Sequence, residues 1–482
     1  MTASHTYPSP DPAAPTPATL GELRASGHEY RPLRTEIREN LLAILRAGAD
    51  PWPGLHGYDR TVVPQLERAL LAGHDVVLLG ERGQGKTRLL RAVGNLLDEW
   101  TPAIADSELR EHPEHPLTAA SRVRVAEAGD DLPITWIHRA ERYVEKLATP
   151  DTAVADLIGD VDPMKVAEGR SLGDPETIHF GLVPRSHRGI VAINELPDLA
   201  ERIQVAMLNV MEERDVQIRG YVLRLPLDVL VLASANPEDY TNRGRIITPL
   251  KDRFGAEIRT HYPTRLDAEV AVVAQEADLV AEVPAHLLEI LARFTRRLRE
   301  SAAVDQRSGV SARFAIAGAE TIAAAALHRA AVTGEETAVA RTVDLRTAVD
   351  VLGGKIEFEA AESGREDEIL THLLRASIAD TVKGRFDDLD LDPLVEAIEA
   401  GAMVVTGPNV AAQDFLAGLP ALAAGEGQGA SAADLYDALA ARVDDGEASP
   451  GHRAAAIELA LEGLYLTRRI GKSSDGDESF YV

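Results

Sequence analysis

Hydrophobic residues in the first half of the chain form short continuous runs separated by stretches of helical periodicity. Three such runs are Val76–Leu79, Ile190–Ile193 and Val229–Ala233. Apolar runs without alternation are typical of strands buried on both faces, and apolar residues three and four positions apart are typical of amphipathic helices. Between residues 50 and 262 this alternation predicts an α/β fold, a parallel sheet with flanking helices.

Beyond residue 262 the strand patterns stop. The stretches PAHLLEILARFTRRLRES and SARFAIAGAETIAAAALHRAA predict long helices, and the last hundred residues are acidic with interrupted helical patterns. The first twenty residues are rich in Pro, Ser, Thr and Ala, which is typical of disordered segments. We therefore expect a disordered N-terminal arm (1–30), an α/β core (31–262), an all-α lid domain (263–385) and an acidic, partly helical C-terminal extension (386–482).

Composition removes several classes of function. The 482 residues include no cysteine, which excludes disulfides, thiolate catalysis and cysteine-based zinc sites. A formal net charge of −27 argues against binding to nucleic acid or to anionic membranes. No apolar run approaches the roughly 18–20 residues of a membrane span, and the N-terminus lacks the basic and apolar regions of a signal peptide. We expect a cytoplasmic protein without nucleic-acid binding or membrane insertion.

A phosphate-binding loop is the clearest chemical signal. The segment HDVVLLGERGQGKTRLL places G-x-x-x-x-G-K-T between an apolar strand and an amphipathic helix. Glycines allow backbone N–H groups to surround phosphate oxygens, the lysine places a positive charge on them, and the threonine hydroxyl binds Mg²⁺. The pattern predicts binding of ATP with Mg²⁺. The candidate nucleotide-binding residues here are Gly80, Gly83, Gly85, Lys86, Thr87 and Arg88.

A second acidic element follows the apolar run that ends at Ile193. Nucleotide hydrolases of this kind usually carry Asp and then Glu here, the first for a metal-bound water and the second for the attacking water. This chain has Asn194 and Glu195. An amide oxygen still accepts a hydrogen bond from metal-bound water, although with less electrostatic attraction, so Thr87 and Asn194 are the candidate metal-side residues. Glu195 is the candidate base for hydrolysis.

Three further polar residues complete the candidate site. Asn236 ends the run Val229–Ala233 and its small-residue turn, where it can orient the attacking water. Arg253 in LKDRFGAEI and Arg313 in GVSARFAIAG offer planar cations suited to a γ-phosphate. Most of the many arginines in the chain must be ordinary surface residues, so only their positions relative to the other motifs single these two out.

In order along the chain, these elements resemble an AAA+ ATPase. The finer resemblance is to the magnesium-chelatase ATPase subunit and its MoxR-like relatives. It rests on ATPDTAVADLIGDVDPMKVAEG, GLVPRSHRGIVAINELPDL, MLNVMEERDVQIRGYVLRLPLDVLVLASANP and PLKDRFG, and it covers roughly residues 50–385. Asn194 departs from the aspartate of the family.

The resemblance implies roles for individual residues. Glu195 would act in hydrolysis, Asn236 as sensor 1, Arg253 as a finger reaching a neighbouring subunit, and Arg313 as sensor 2 in the lid. The segment that would hold adenine is Leu55, His56, Gly57 and Tyr58. The family also implies self-assembly into a ring, most often a hexamer.

Several functions fit these features. The first is a ring-forming motor that remodels a partner with a von Willebrand factor A domain or assists metal insertion. The second is a true magnesium chelatase subunit acting on a porphyrin. A low-turnover nucleotide-binding scaffold is a third, because of Asn194. An activator of an alternative sigma factor is disfavoured, since the sequence contains no G-A-F-T-G-A loop.

Overall fold

The structure is a computed structural model of the chain. It describes residues 13–162, 164, 167, 177–213, 216–218, 221–223, 225–236, 244–305, 309–422, 432–443, 449–475 and 478–482. The described chain divides after His261 into two compact units, here called the N-terminal unit and the C-terminal unit.

The N-terminal unit alternates strands and helices. Its strands are β1 (Val76–Leu79), β2 (Trp100–Ile104), β3 (Ile134–His138), β4 (Tyr143–Leu147), β5 (Gly159–Val161), β6 (Ile178–Phe180), β7 (Gly189–Asn194), β8 (Val216–Ile218), β9 (Tyr221–Leu223), β10 (Val229–Ala235) and β11 (Ala256–Arg259). Its described helices are α1 (Leu20–Ala25), α2 (Leu33–Arg46), α3 (Val62–Ala72), α4 (Lys86–Val93), α5 (Ala119–Ala128), α6 (Val154–Leu157), α7 (Leu182–Arg185), α8 (Glu201–Glu213) and α9 (Thr248–Arg253).

The main sheet has five parallel strands in the order β11-β1-β10-β7-β4. Strands β1, β7 and β10 are buried throughout, as expected from their continuous apolar sequences. Helices α2, α3 and α4 pack on one face of the sheet, while α8 and α9 pack on the other. The predicted α/β class with a parallel sheet and flanking helices is confirmed.

The N-terminal segment differs from the disordered arm that composition predicts. Residues 20–25 form α1, and both Leu20 and Leu23 are fully buried against Ile104, Leu132 and Ile134. These leucines cover one side of the antiparallel pair β2–β3. These two apolar side chains, one helical turn apart, pack this part of the chain onto the fold, and the Leu20 N–H adds a hydrogen bond to the Leu132 carbonyl oxygen at 3.0 Å. Residues 1–12 lie outside the described part.

The C-terminal unit is mainly helical. Its described helices are α10 (Leu266–Glu276), α11 (Ala285–Glu300), α12 (Ala312–Thr333), α13 (Leu345–Leu352), α14 (Glu366–Phe386), α15 (Asp392–Glu399), α16 (Ala412–Ala417), α17 (Ala432–Ala441) and α18 (Pro450–Leu466). The extension also contains a three-stranded sheet that the sequence pattern did not predict, formed by β12 (Val404–Thr406), β13 (Lys472–Asp475) and β14 (Glu478–Tyr481). One continuous apolar core includes residues on both sides of position 385.

No helix among the described residues is both long enough and apolar enough to cross a lipid bilayer.

Candidate functional site

The phosphate-binding loop connects β1 to α4. Gly83 and Gly85 both have φ of +74°, a left-handed conformation that favours glycine. A Cβ atom on Gly80 would lie 1.9 Å from Thr260 Oγ1 and 2.2 Å from Gln84 Oε1. The loop therefore depends on glycine at these three positions for its path.

Lys86 is buried and points back into this loop. Its Nζ donates hydrogen bonds to the carbonyl oxygens of Gly80 and, at 2.7 Å, Glu81, and to Asn236 Oδ1 at 2.7 Å. The ammonium group thus sits among oxygen acceptors at the place where a P-loop lysine meets phosphate oxygens. Arg88, two positions further along α4, is exposed.

The predicted adenine segment contacts the phosphate-binding loop through Tyr58. Leu55 and Tyr58 are buried in the same apolar core as α3 and β1, while His56 and Gly57 are partly exposed. The Tyr58 hydroxyl lies within hydrogen-bonding distance of the Gln84 carbonyl oxygen and 3.0 Å from that of His261. Tyr58 therefore stabilises the phosphate-binding loop through its hydrogen bond to Gln84. The sequence pattern does not indicate this contact.

Glu195 occupies a strained turn directly after β7. Its φ of +56° and ψ of +48° are left-handed, which costs of order 1–3 kcal/mol for a residue with a side chain. Its N–H donates to Ser234 Oγ at 3.3 Å, and one carboxylate oxygen accepts from Asn236 Nδ2 at 2.8 Å. The turn presents the carboxylate at the carboxyl edge of the sheet, where α/β folds bind their ligands.

Asn236 joins two predicted site residues. Its side chain is fully buried, with its oxygen accepting from Lys86 and its nitrogen donating to Glu195. The cation at the start of α4, the amide after β10 and the carboxylate after β7 thus form one hydrogen-bonded chain. A cation, an amide and a carboxylate are the groups from which a phosphate site with a hydrolytic base can be built.

Asn194 makes contacts that include two residues overlooked in the sequence. Its Oδ1 accepts from Thr87 Oγ1 at 3.4 Å and from Ser234 Oγ at 3.0 Å. Its Nδ2 donates to Glu145 Oε1 at 2.7 Å, and Arg91 pairs with the same carboxylate. Glu145 lies on β4, an edge strand with half-exposed side chains, so the continuous apolar pattern that revealed the other strands is missing there.

The two candidate arginines belong to different units of the chain. Arg253 ends α9, is exposed and forms an ion pair with Glu212 of α8. Arg313 is the second residue of α12 in the C-terminal unit and is exposed.

The oxygen donors around Thr87 fit a magnesium ion that arrives with a nucleotide. The described residues contain no group of three or more His, Cys, Asp and Glu side chains able to hold a metal by themselves. Magnesium, however, usually binds through one or two carboxylates or hydroxyls together with substrate phosphates and water. The Thr87 hydroxyl, the Asn194 amide oxygen and the nearby Glu145 and Glu195 carboxylates supply such donors.

Comparison with known proteins gives relatives among the magnesium-chelatase subunits. The magnesium-chelatase subunit ChlI of Anabaena variabilis is 27% identical over 217 residues, which is 44% of this chain and 60% of that protein. The ChlI subunit of Nostoc is also 27% identical over 217 residues, with 54% of its length covered. The chain thus spans little more than half the length of these relatives. No family model matches the sequence.

Solved structures give weaker matches. A complex of subunits BchI and BchD of magnesium chelatase matches with 20% identity and a TM-score of 0.36, covering 66% of this chain and 98% of that one. A RuvB mutant of Thermotoga maritima matches with 13% identity and a TM-score of 0.36, covering 70% and 79%. The curated ChlI relatives confirm the resemblance to the magnesium-chelatase AAA+ subunits, whereas the link to the MoxR-like group stays a prediction.

Proposed function

We propose that this chain is an Mg²⁺-dependent ATP hydrolase of the AAA+ class that works as a ring-forming motor. The observation that carries the proposal is the hydrogen-bonded chain from Lys86 through Asn236 to Glu195. It connects a loop built for phosphate to a carboxylate held in a strained turn. The curated relatives, which are ChlI subunits of magnesium chelatase, support the same class.

Each of these side chains has a distinct task in hydrolysis. Bound ATP and Mg²⁺ supply the phosphoryl group and most of the charge compensation. The Lys86 ammonium exchanges its contacts with Gly80 and Glu81 for phosphate oxygens, so the cation is already positioned. Glu195 polarises the attacking water, and Asn236 holds both the base and that water in position.

We propose that the energy of hydrolysis remodels a partner protein with a von Willebrand factor A domain or assists metal insertion. A second candidate is a magnesium chelatase subunit acting on a porphyrin, which the names of the ChlI relatives favour. A third, a scaffold with little turnover, is favoured by the amide at Asn194. The first two candidate functions both include the proposed ring. Six subunits are the leading expectation for this ring.

Phosphate release distinguishes a motor from a scaffold. We expect purified protein, tested with and without a candidate partner, to release phosphate from ATP with Mg²⁺. Glu195→Gln should retain bound ATP and lose release by at least about 100-fold, because it removes general base catalysis. The matched control is Glu201→Gln, an exposed glutamate at the start of α8 that should hydrolyse normally. Release no faster than in Glu195→Gln would leave the scaffold as the better description.

A further inference from the structure

Asn194 and Glu145 form a matched pair on neighbouring strands. Strands β4 and β7 are parallel, with Leu147 opposite Asn194 and Glu145 opposite Ala192. The Glu145 side chain reaches the carboxyl edge of the sheet, where Oε1 accepts from Asn194 Nδ2 at 2.7 Å. The Asn194 amide therefore lies between the Glu145 carboxylate and the Thr87 hydroxyl.

The neighbouring groups fix the orientation of the Asn194 amide. Its oxygen faces two hydroxyl donors, those of Thr87 and Ser234. Its nitrogen faces Glu145, a group that only accepts hydrogen bonds when ionised. Rotating the amide by 180° would place an oxygen against a carboxylate oxygen and leave the hydroxyls facing NH₂. The Asn194 amide thus links the Glu145 carboxylate to the Thr87 hydroxyl by two hydrogen bonds.

We propose that Glu145 supplies to the magnesium site the carboxylate charge that Asn194 lacks. This inference rests on the proposed function, since it concerns Mg²⁺ bound with ATP at Thr87. Glu145 acts as a positioning residue: its charge polarises and orients the Asn194 amide oxygen toward the metal-bound water. Partners of this kind commonly alter metal affinity by about 10–100-fold when they are removed.

The same pair explains why asparagine suits position 194. An aspartate there would bring two carboxylates into contact at the 2.7 Å now spanned by a hydrogen bond. Like charges at that distance do not both ionise readily, so the second acid would add little to metal binding. The negative charge that Asn194 lacks is therefore carried by Glu145 on β4.

Pairing with Arg91 is the alternative role for Glu145. Arg91 Nε lies 2.7 Å from Glu145 Oε2, and Arg91 Nη2 lies 3.1 Å from Oε1. The Arg91 side chain is 65% exposed, against 23% for Glu145. An ion pair with one partner so exposed stabilises a fold little. Arg91→Gln removes this pair while leaving the Glu145 contact to Asn194, so it separates the two roles.

The test measures metal affinity rather than turnover. Protein saturated with a non-hydrolysable ATP analogue is titrated with Mn²⁺, a substitute for Mg²⁺, and free Mn²⁺ is measured by electron paramagnetic resonance. We expect Glu145→Gln to weaken Mn²⁺ binding about tenfold or more while the affinity for nucleotide in EDTA stays unchanged. Arg91→Gln should bind Mn²⁺ as tightly as the wild type or more tightly, because a positive charge is removed.

Exchanging the two side chains is the decisive control. Asn194→Asp alone should not tighten Mn²⁺ binding, whereas Asn194→Asp combined with Glu145→Gln should restore it, because acid and amide have changed places. Wild-type affinity in Glu145→Gln, or equal losses in Glu145→Gln and Arg91→Gln, would overturn the role of Glu145 while leaving the proposed function standing. If the wild-type protein binds no nucleotide, the proposed function falls and this inference with it.

Discussion

The Lys86 ammonium is held by oxygen atoms of the loop it serves and by Asn236. We expect Lys86→Ala to weaken ATP binding by about 10- to 100-fold, since hydrogen bonds to charged groups are worth about 1.5–3 kcal/mol. Calorimetric titration with ATP and Mg²⁺ measures this. Lys251→Ala, at an exposed lysine paired with Glu257, should bind like the wild type. Equal ATP affinity in both variants would contradict the assignment of the loop.

Residue-level prediction was possible where chemistry fixes the spacing. Lys86 and Thr87 are candidates because G-x-x-x-x-G-K-T is the spacing of one particular phosphate-binding loop, and Asn236 is a candidate because it follows an apolar strand. Glu145 was missed because its contacts depend on how two strands align, which a linear pattern does not encode. The left-handed turn at Glu195 was missed for a related reason: tertiary contacts, among them the bond from its N–H to Ser234, hold a conformation that its residue type disfavours.

At the scale of elements, β7 and β10 are fixed to each other where they begin. The His187 ring accepts a hydrogen bond at Nδ1 from the Asp228 N–H at 3.1 Å, and the Arg188 N–H donates to the Asp228 carbonyl at 2.7 Å. Asp228 also accepts from the Leu33 N–H at the start of α2. These bonds hold the two strands in register beneath the site, so Glu195 and Asn236 meet at the other end.

Burial of His187 predicts a pH dependence. Desolvation, reinforced by the charge of Arg188, lowers the pKa of His187 to about 3. An unfolded histidine has a pKa of about 6.5, so between about pH 3 and 6.5 the ring is neutral when folded and protonated when unfolded. Unfolding then takes up a proton, and stability falls as the pH falls through this window. At pH 5 we expect His187→Gln to take up about one proton fewer than the wild type on unfolding in guanidinium.

Potentiometric measurement of proton uptake tests this without requiring a two-state transition. The amide oxygen of the variant can still accept from Asp228, so circular dichroism should show a folded protein. Replacing His328, which is exposed on α12, by Gln should leave the uptake unchanged. Identical uptake by the wild type and His187→Gln would mean that the ring is already protonated in the folded state.

Elements whose pattern is complete in the local sequence were the predictable ones. Strands β1, β7 and β10 lie in the middle of the sheet and need apolar residues on both faces, so their sequences identify them. Strand β4 at the edge and strands β12–β14 have no such requirement. Helix α1 depends on two leucines that contact residues of β2 and β3, roughly 80 to 115 positions further along the chain.

At the scale of the whole molecule, the predicted lid and extension share their buried interactions. Arg341, which belongs to the predicted lid, is fully buried and bonds with Glu458 at 3.0 Å, Thr406 at 3.2 Å and the Val410 carbonyl at 2.8 Å. All three partners belong to the predicted extension. A chain ending near residue 385 would leave the guanidinium buried without them, which is costly for a charged group. Composition predicts a domain boundary near residue 385 because acidic residues become more frequent there. The frequency of acidic residues does not indicate which side chains are buried together.

Arg253 carries the prediction about assembly. It lies exposed at the end of α9, so it can reach a neighbouring molecule. A planar cation supplied between subunits can contribute about 10³–10⁵ in rate in nucleotide hydrolases, and such head-to-tail contacts close into a ring when the rotation between subunits allows it. We therefore expect Arg253→Ala to bind ATP almost normally, measured by calorimetry, and to lose nearly all phosphate release.

Two controls separate a shared site from a local structural role. Glu212→Gln breaks the ion pair of Arg253 within its own subunit but keeps the cation, so it should still hydrolyse ATP. If it fails as completely as Arg253→Ala, the arginine serves to hold α9 on α8. Mixing Arg253→Ala with Glu195→Gln should restore some phosphate release, because some interfaces then combine an intact Glu195 with an intact Arg253. A mixture without activity, or a protein that light scattering shows to be monomeric with ATP, would contradict the ring, since a site completed by a neighbour cannot work alone.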